Sequence, residues 1–374
     1  MNNLALSNKK LDFIFNTTLI CQWDCDFCCV DAVQVKKNGS DLVMLSQSLN
    51  KEERFKIDQT KNIFEQAYQI RLDRGQELNL ENKKKIIDNI IDYDSRIDIS
   101  GGDALLIRDN FDFLIYASSS LGKDNVSLTV TGSGSAKYEA SEVAPYIDEY
   151  NFTFDSASLN DVIDRPNGYA IGNLKKATKF HKNGCKTRAE LPLTNNIIDE
   201  NHLVRLYKEL HLAEIDKLLV MRLFPVGRGV LSESNLPSNN QYLKAIEILY
   251  REEEKYKYPK VKLQCALKHL INKKHEENPC DLFRSSFGIM PNGNLILSPW
   301  AYDNKGDVLS EDWVLGNISQ ISMHNIFANS SNNENWKRID ENFGQCKIFS
   351  FANSKKINFY DRLFDKSDPL YSND

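Results

Sequence analysis

The chain has 374 residues, 41% hydrophobic and 26% charged, which suits two soluble domains or one large barrel with an appendage. A net charge of −5 makes duplex nucleic acid a poor partner, and no apolar run approaches the roughly 18 residues that a membrane span needs. Eight cysteines are too few for a disulfide scaffold of this length, and the polar Met1–Lys10 stretch has no secretory signal. The expected compartment is therefore the cytoplasm, where thiols stay reduced.

Leu11–Phe15 predicts a first strand. It leads through Asn16–Ile20 into Cys21-Gln-Trp-Asp-Cys25-Asp-Phe-Cys28, three thiols spaced C-x3-C-x2-C. They fall at the C-terminal end of the strand, the edge where β/α barrels carry their chemistry. Three thiolates on a short loop suit a four-iron, four-sulfur cube with one iron left open, whereas electron-transfer clusters take four cysteines. Two other readings stay open on spacing alone. One is a zinc half-site, for which Cys29 is awkwardly placed as a fourth ligand and no histidine follows within about a hundred residues. The other is buried thiols without a ligand role.

From Val30 to about Glu77 the chain is polar. Ile57, Ile63, Phe64, Ala67, Ile70 and Leu72 recur at helical spacing, which predicts a mostly helical insertion over 30–77 that caps the site, grips a partner or decorates the surface. Glu81–Tyr93 reads as a helix and Arg96–Ser100 as a second strand. Gly101-Gly102-Asp103 follows as a tight turn whose glycines allow backbone to approach a ligand. After a helix over Phe111–Gly122, Val126–Val130 is a third strand that ends in the small-residue loop Thr131–Ser135. Tyr150–Phe154 is a fourth strand. Asp155, the segment Asp164-Arg165-Pro166-Asn167-Gly168 and a helix through His181 follow it. Lys186–Pro192 is a fifth strand; Arg188 and Glu190 are candidates to face inward, where a charge needs a partner or a ligand. Asp199–Leu212 is a helix, and Lys217–Phe224 a sixth strand followed by Pro225-Val-Gly-Arg-Gly229. Six strand–helix units to about Gly229 predict an α/β protein built on a partial (β/α)6 barrel of the TIM type, open on one side with room for a bulky substrate. The remainder holds a charged helix over Asn239–Lys257, Cys265, Cys280, a β-hairpin over Phe287–Leu297 turning at Asn292-Gly293, and Cys346. No GxGxxG, Walker or HExxH pattern occurs on the scaffold.

C-x3-C-x-aromatic-C, with Phe27 at the aromatic position, resembles the cluster loop of the radical S-adenosylmethionine (SAM) superfamily. Gly101-Gly102-Asp103 resembles that family's Gly-Gly-Glu motif, which holds the amino group of SAM, with Asp103 in place of the commoner Glu. Thr131 resembles the strand end near the ribose. The run from Asp155 to Arg165 resembles a segment of the peptide-modifying members. Arg222-x-x-Pro-x-Gly-Arg228 resembles the end of the barrel in members that carry a C-terminal extension. The tail resembles SPASM and twitch extensions, although Ser298-Pro299-Trp300 stands where such domains usually have Pro-Cys.

The resemblance implies a core over 1–230 and an α+β, SPASM/twitch-like extension over 231–374. Cys21, Cys25 and Cys28 would hold a [4Fe-4S] cluster. Gly101, Gly102, Asp103, Thr131, Arg188 and Arg222 would contact SAM. Cys265, Cys280 and Cys346 would hold an auxiliary iron–sulfur cluster or be leftover thiols; Cys29 and Cys185 are ordinary thiols. In the implied activity, an electron from a flavodoxin- or ferredoxin-type donor cleaves SAM. The 5′-deoxyadenosyl radical then takes hydrogen from a peptide or protein, maturing a ribosomally made peptide, for instance by a side-chain crosslink. The alternatives are a radical SAM enzyme acting on a small molecule or activating another enzyme, and a non-catalytic zinc protein.

Overall fold

The computed structural model describes residues 10–46, 51–134, 137–158, 165–230, 236–271, 278–282, 284–330 and 334–371. The first part of the chain forms β1 (Leu11–Thr18), β2 (Ile20–Cys21), β3 (Val33–Asn38), β4 (Asp41–Ser46), β5 (Lys51–Lys56), α1 (Ile63–Asp73) and α2 (Leu80–Ile90). Strands and helices then alternate: β6 (Ser95–Gly101), α3 (Arg108–Leu121), β7 (Val126–Thr129), α4 (Ala140–Val143), β8 (Glu149–Thr153), α5 (Tyr169–Lys182), β9 (Lys186–Leu193), α6 (Glu200–Leu212) and β10 (Lys217–Arg222). The last part holds α7 (Asn239–Tyr256), β11 (Lys260–Leu263), α8 (Cys265–Ile271), β12 (Ser286–Ile289), β13 (Asn294–Ile296), β14 (Val314–Asn317), α9 (Met323–Ser330), α10 (Lys347–Asn353) and α11 (Phe359–Leu363).

The large sheet has the order β11–β10–β9–β8–β7–β6–β1–β12–β13–β14. The six strands expected from the sequence, β1 and β6 to β10, lie in it side by side and parallel. This is a partial barrel: β11 and β14 are its two edges. Period-2 alternation sorts the side chains. On β1, Leu11, Phe13 and Phe15 are buried, while Asp12 and Ile14 of the other face are part-exposed and, with Asn16, line a cavity on the concave side that Phe13 also borders. Helices cover the convex side, as Ile86, Ile87 and Ile90 of α2 do, all fully buried. Side-chain caps begin several of them: Asn79 accepts from Asn82 N ahead of α2, and Asp199 from His202 N ahead of α6.

Two strands beyond the expected six extend the parallel array. Four-residue β11 adds beside β10, and β12 of the tail hairpin runs parallel to β1 in the register Phe13↔Phe287. The two rings stack with centroids 5.8 Å apart. The tail hairpin therefore continues the barrel sheet.

The 30–77 insertion departs from the mostly helical expectation. Its first half holds β3, β4 and β5, which join β2 of the thiol segment in a sheet of order β2–β3–β4–β5, and among its described residues α1 is the one long helix. Val35, Leu42 and Met44 are buried on one face, and the two-residue turn Gly39-Ser40, with Gly39 at φ +60, closes the first hairpin. Lys37 shares that face with Val35 and Lys36 lies on the opposite one, and the two dilute the apolar alternation. Ala67 and Tyr68 of α1 pack on the buried face. Ser135 and Asp164 lie outside the described residues. Among the described residues no helix is long and apolar enough to cross a membrane.

Candidate active site

The thiol loop starts where β1 ends and is gripped by the turn that follows β10. Arg228, 1% exposed, donates from Nε to Cys25 O at 2.9 Å and from Nη1 to Ala32 O at 2.9 Å and Asp31 Oδ1 at 3.0 Å. Its backbone N–H donates to Cys28 O at 2.9 Å. Gly227 sits at φ +53, where a Cβ would stand 2.5 Å from Cys28 O, so this position takes only glycine without shifting the loop. Within the loop, Cys21 Sγ accepts from Trp23 N at 3.4 Å and Cys28 Sγ from Ala32 N at 3.3 Å. Burial pushes the Cys21 thiol well up, and the charges of Asp103 and Cys25 add to this. Burial also pushes Cys25 up, against the Arg165 guanidinium. Thiols in this state ionise only when a positive centre offsets the desolvation, as a metal group does.

The two glycines after β6 make room for that loop. A Cβ on Gly101 (φ +127) would lie 2.2 Å from Thr18 O, and one on Gly102 would lie 2.2 Å from Ile20 O. Gly102 N and Asp103 N donate to the same two carbonyls, at 2.8 and 2.9 Å. The close approach is thus first of all to the backbone that carries the thiols. Asp103 is fully buried: Oδ2 accepts from Thr131 Oγ1 at 2.6 Å and Gly134 N at 2.8 Å, and Oδ1 from Leu105 N at 3.3 Å. It braces the loop after β7, and burial pushes its carboxyl up.

Cys21, Cys25, Cys28, Gly101, Gly102 and Thr131 line one cavity of about 180 Å³, with Trp23, Arg165 and Arg222 on its walls. Asp103 is behind that wall. Arg222 is 4% exposed, and its Nη1 and Nη2 meet Asp368 of the tail at 2.8 and 2.9 Å. Its guanidinium lies 3.6 Å over the Phe349 ring. The planar fork is therefore engaged by the tail, and Nε has no partner among the described residues. Trp23 Nε1 is likewise buried and without a partner among the described residues.

An adjoining cavity of about 360 Å³ lies along the concave side of the sheet. Asp98, Arg188 and Glu190 face it from the strands, and Cys265, Cys280 and Cys346 line it from the tail. Arg188, paired with Glu149 at 3.2 Å and Glu190 at 3.0 Å, lines this chamber and not the thiol cavity, whereas Glu190 lines both. Cys29, Met221, Phe224 and Trp300 border both cavities, and the Phe224 and Trp300 rings stack 5.0 Å apart. Among the described residues no three Cys, His, Asp or Glu side chains converge as a single-ion site requires. The three loop thiols surround a space instead, which suits a polynuclear group. Two buried donors without partners on the walls suit an acceptor-bearing cofactor beside it.

The sequence reading brought the three cysteines, the two glycines and Thr131 to one site. It missed the clasp of Gly227 and Arg228 on the thiol loop, the Arg222–Asp368 pair, and the contact of Arg165 with Cys25. The Pro-x-Gly-Arg spelling was the one visible sign of the clasp.

The fold and the site together define a class: a parallel β/α partial barrel with a three-thiol loop at the C-terminal edge of its strands and a tail that lines the concave side. Among the solved structures that share this fold are three of one bacterial protein. They are Streptococcus suis SuiB bound to precursor peptide SuiA (TM-score 0.62, 12% identity), SuiB alone (0.62, 13%) and SuiB bound to S-adenosylmethionine (0.61, 12%). Each covers 94% of this chain, which in turn spans 74–76% of SuiB. No protein-family model and no curated protein sequence matches the chain.

Proposed function

We propose that this protein is a radical SAM enzyme that modifies a peptide. The observation that carries the reading is the single cavity in which Cys21, Cys25, Cys28, Gly101, Gly102 and Thr131 meet. It sits where β/α barrels place their chemistry, on a fold shared with a protein solved with SAM and with a precursor peptide. Cys21, Cys25 and Cys28 would hold a [4Fe-4S] group, and the main chain of Gly101 and Gly102, Thr131, Trp23 Nε1 and Arg222 Nε would face SAM. When bound, these cofactors supply reductive cleavage of the sulfonium and abstraction of a hydrogen atom from substrate.

The chain's own residues fix the geometry of that event. Arg228 and Gly227 hold the thiol loop, Gly101 and Gly102 seat it against β6, and Asp103 holds the Thr131 loop. Phe224 and Trp300 wall the reaction space from the larger chamber, whose Asp98, Arg188 and Glu190 would meet polar groups of the peptide. Cys265, Cys280 and Cys346 border that chamber and are the set that would hold an auxiliary cluster. A flavodoxin- or ferredoxin-type donor in a reducing cytoplasm would serve the site; all eight cysteines are free thiols.

The test is anaerobic reconstitution followed by SAM, reductant and candidate precursor peptides. The reading expects a brown protein, release of 5′-deoxyadenosine, and a peptide that loses hydrogen in mass. About four irons per chain would mean the loop cluster alone, and about eight an auxiliary cluster as well. Colourless protein with stoichiometric zinc would sink the reading. Turnover only with a small metabolite or a partner enzyme would leave the chemistry and remove the peptide.

A further inference from the structure

Arg165 is held against the thiol loop from across the cavity. Its Nη1 donates to Cys25 Sγ at 3.2 Å, and its Nε donates to Asp155 Oδ2. Its guanidinium lies 4.5 Å from the centre of the Phe27 ring and 5.0 Å from that of Tyr169. The arginine side chain is 10% exposed and that of Asp155 2%, so the hydrogen bond and its counter-charge are shielded from bulk water. Asp155 is fixed in turn, its carbonyl bonded to the His202 ring at 3.1 Å. Neither Cys21 nor Cys28 has such a partner among the contacts described above; their sulfurs meet backbone N–H groups.

This asymmetry has a redox consequence. A hydrogen bond to a ligand sulfur strengthens as charge density on that sulfur grows, and adding an electron to an iron–sulfur group places part of its charge there. A charge-assisted donor is about twice as strong as a neutral one, and the planar guanidinium is fixed in place by two aromatic faces. We propose that Arg165 is a positioning residue that sets the reduction potential of the thiol-bound cluster through its hydrogen bond to Cys25, with Asp155 balancing the charge. The redox step is the one-electron reduction of the oxidised cluster by a low-potential donor, with no proton taken up. Arg165 favours the reduced form, and Asp155 prevents its charge from favouring that form further. This rests on the cluster assignment made above, and it concerns only the residue that tunes the cluster.

The experiment uses the full chain, reconstituted anaerobically without SAM and titrated with dithionite while the reduced-cluster EPR signal is followed. In Arg165→Met the ratio of reduced to oxidised cluster at a fixed poise falls about tenfold, about 59 mV for a one-electron couple. Arg165→Lys, which keeps a charged donor, recovers part of the shift. Asp155→Asn moves the potential the opposite way, because the arginine charge is then unbalanced. Iron content stays at the wild-type level in the variants. If Arg165→Met does not load iron, the Lys and Asn variants carry the test, since their shifts differ in sign. Potentials equal to wild type, or shifts of one sign in the Arg165 and Asp155 variants, overturn the inference and leave the cluster assignment standing. A wild-type chain that assembles no cluster removes both.

Discussion

Arg228→Met tests how the fold holds its thiol loop. The arginine is 1% exposed and its partner Asp31 is 1% exposed. Methionine keeps much of the side-chain volume, so the loss is electrostatic. It leaves the Asp31 carboxylate facing one fewer cation and strips the side-chain donor from the carbonyls of Cys25 and Ala32. Removing one member of a buried charge pair costs about 3–5 kcal/mol. A typical domain has only about 5–15 kcal/mol in total, so the variant should remain folded with a markedly lower denaturant midpoint. Cys25 and the residues on either side of Asp31 move with the loop, so iron loading should fall as well. Urea unfolding of the apo chain and iron content after reconstitution are the two assays. Asp31→Asn in the same background should recover part of the loss, because it removes the stranded charge. An unfolding free energy within about 1 kcal/mol of wild type, with full iron loading, would refute the reasoning.

Gly102→Ala should cost about 1–3 kcal/mol through overpacking and lower both iron loading and SAM affinity, since its Cβ would meet Ile20 O at 2.2 Å. Gly122→Ala is the control: its φ of +83 strains the backbone, but nothing lies within 4 Å, so the site should be unaffected. Equal iron and SAM binding in the two variants would contradict this account of the Gly-Gly turn. Asp98 gives a pH signature. Burial pushes its carboxyl up to about 6, with Arg188 and the Thr129 hydroxyl pulling it back. The folded state then binds its proton more tightly than the unfolded chain. The Asp98 contribution to stability is greatest below about pH 4 and is lost, to the extent of at most about 3 kcal/mol, as the pH rises through 6, less where water enters the cavity. Asp98→Asn should flatten that limb of the pH–stability curve; an unchanged slope would remove the assignment.

The parallel strands were legible because each is a short apolar run set off by turns and helices with clear periodicity. The thiol loop was legible because its three cysteines lie within eight residues. The sheet in the insertion was not, because Val33–Asn38 and Lys51–Lys56 carry lysines that dilute their alternation. Strand β11 is four residues long, below what periodicity can register. The roles of the arginines were hidden for a different reason. Arg222 and Asp368 are 146 positions apart, and Arg228 and Asp31 are 197 apart, so only the fold brings them together. Arg188 was a candidate to face inward and contact SAM; it lines the larger chamber, paired there with Glu149 and Glu190. Asp103 stands in the motif position, yet its carboxylate is spent on Thr131 and Gly134. Spacing identified the residue, and the third dimension decided what its side chain touches.

The most direct measurement is 5′-deoxyadenosine release by the anaerobically reconstituted chain, with SAM and a low-potential reductant, beside Cys25→Ala. The account predicts release that needs reductant and vanishes in the variant together with the iron. Iron-loaded protein that binds SAM yet leaves it whole under reductant, or release that persists in Cys25→Ala, would contradict it.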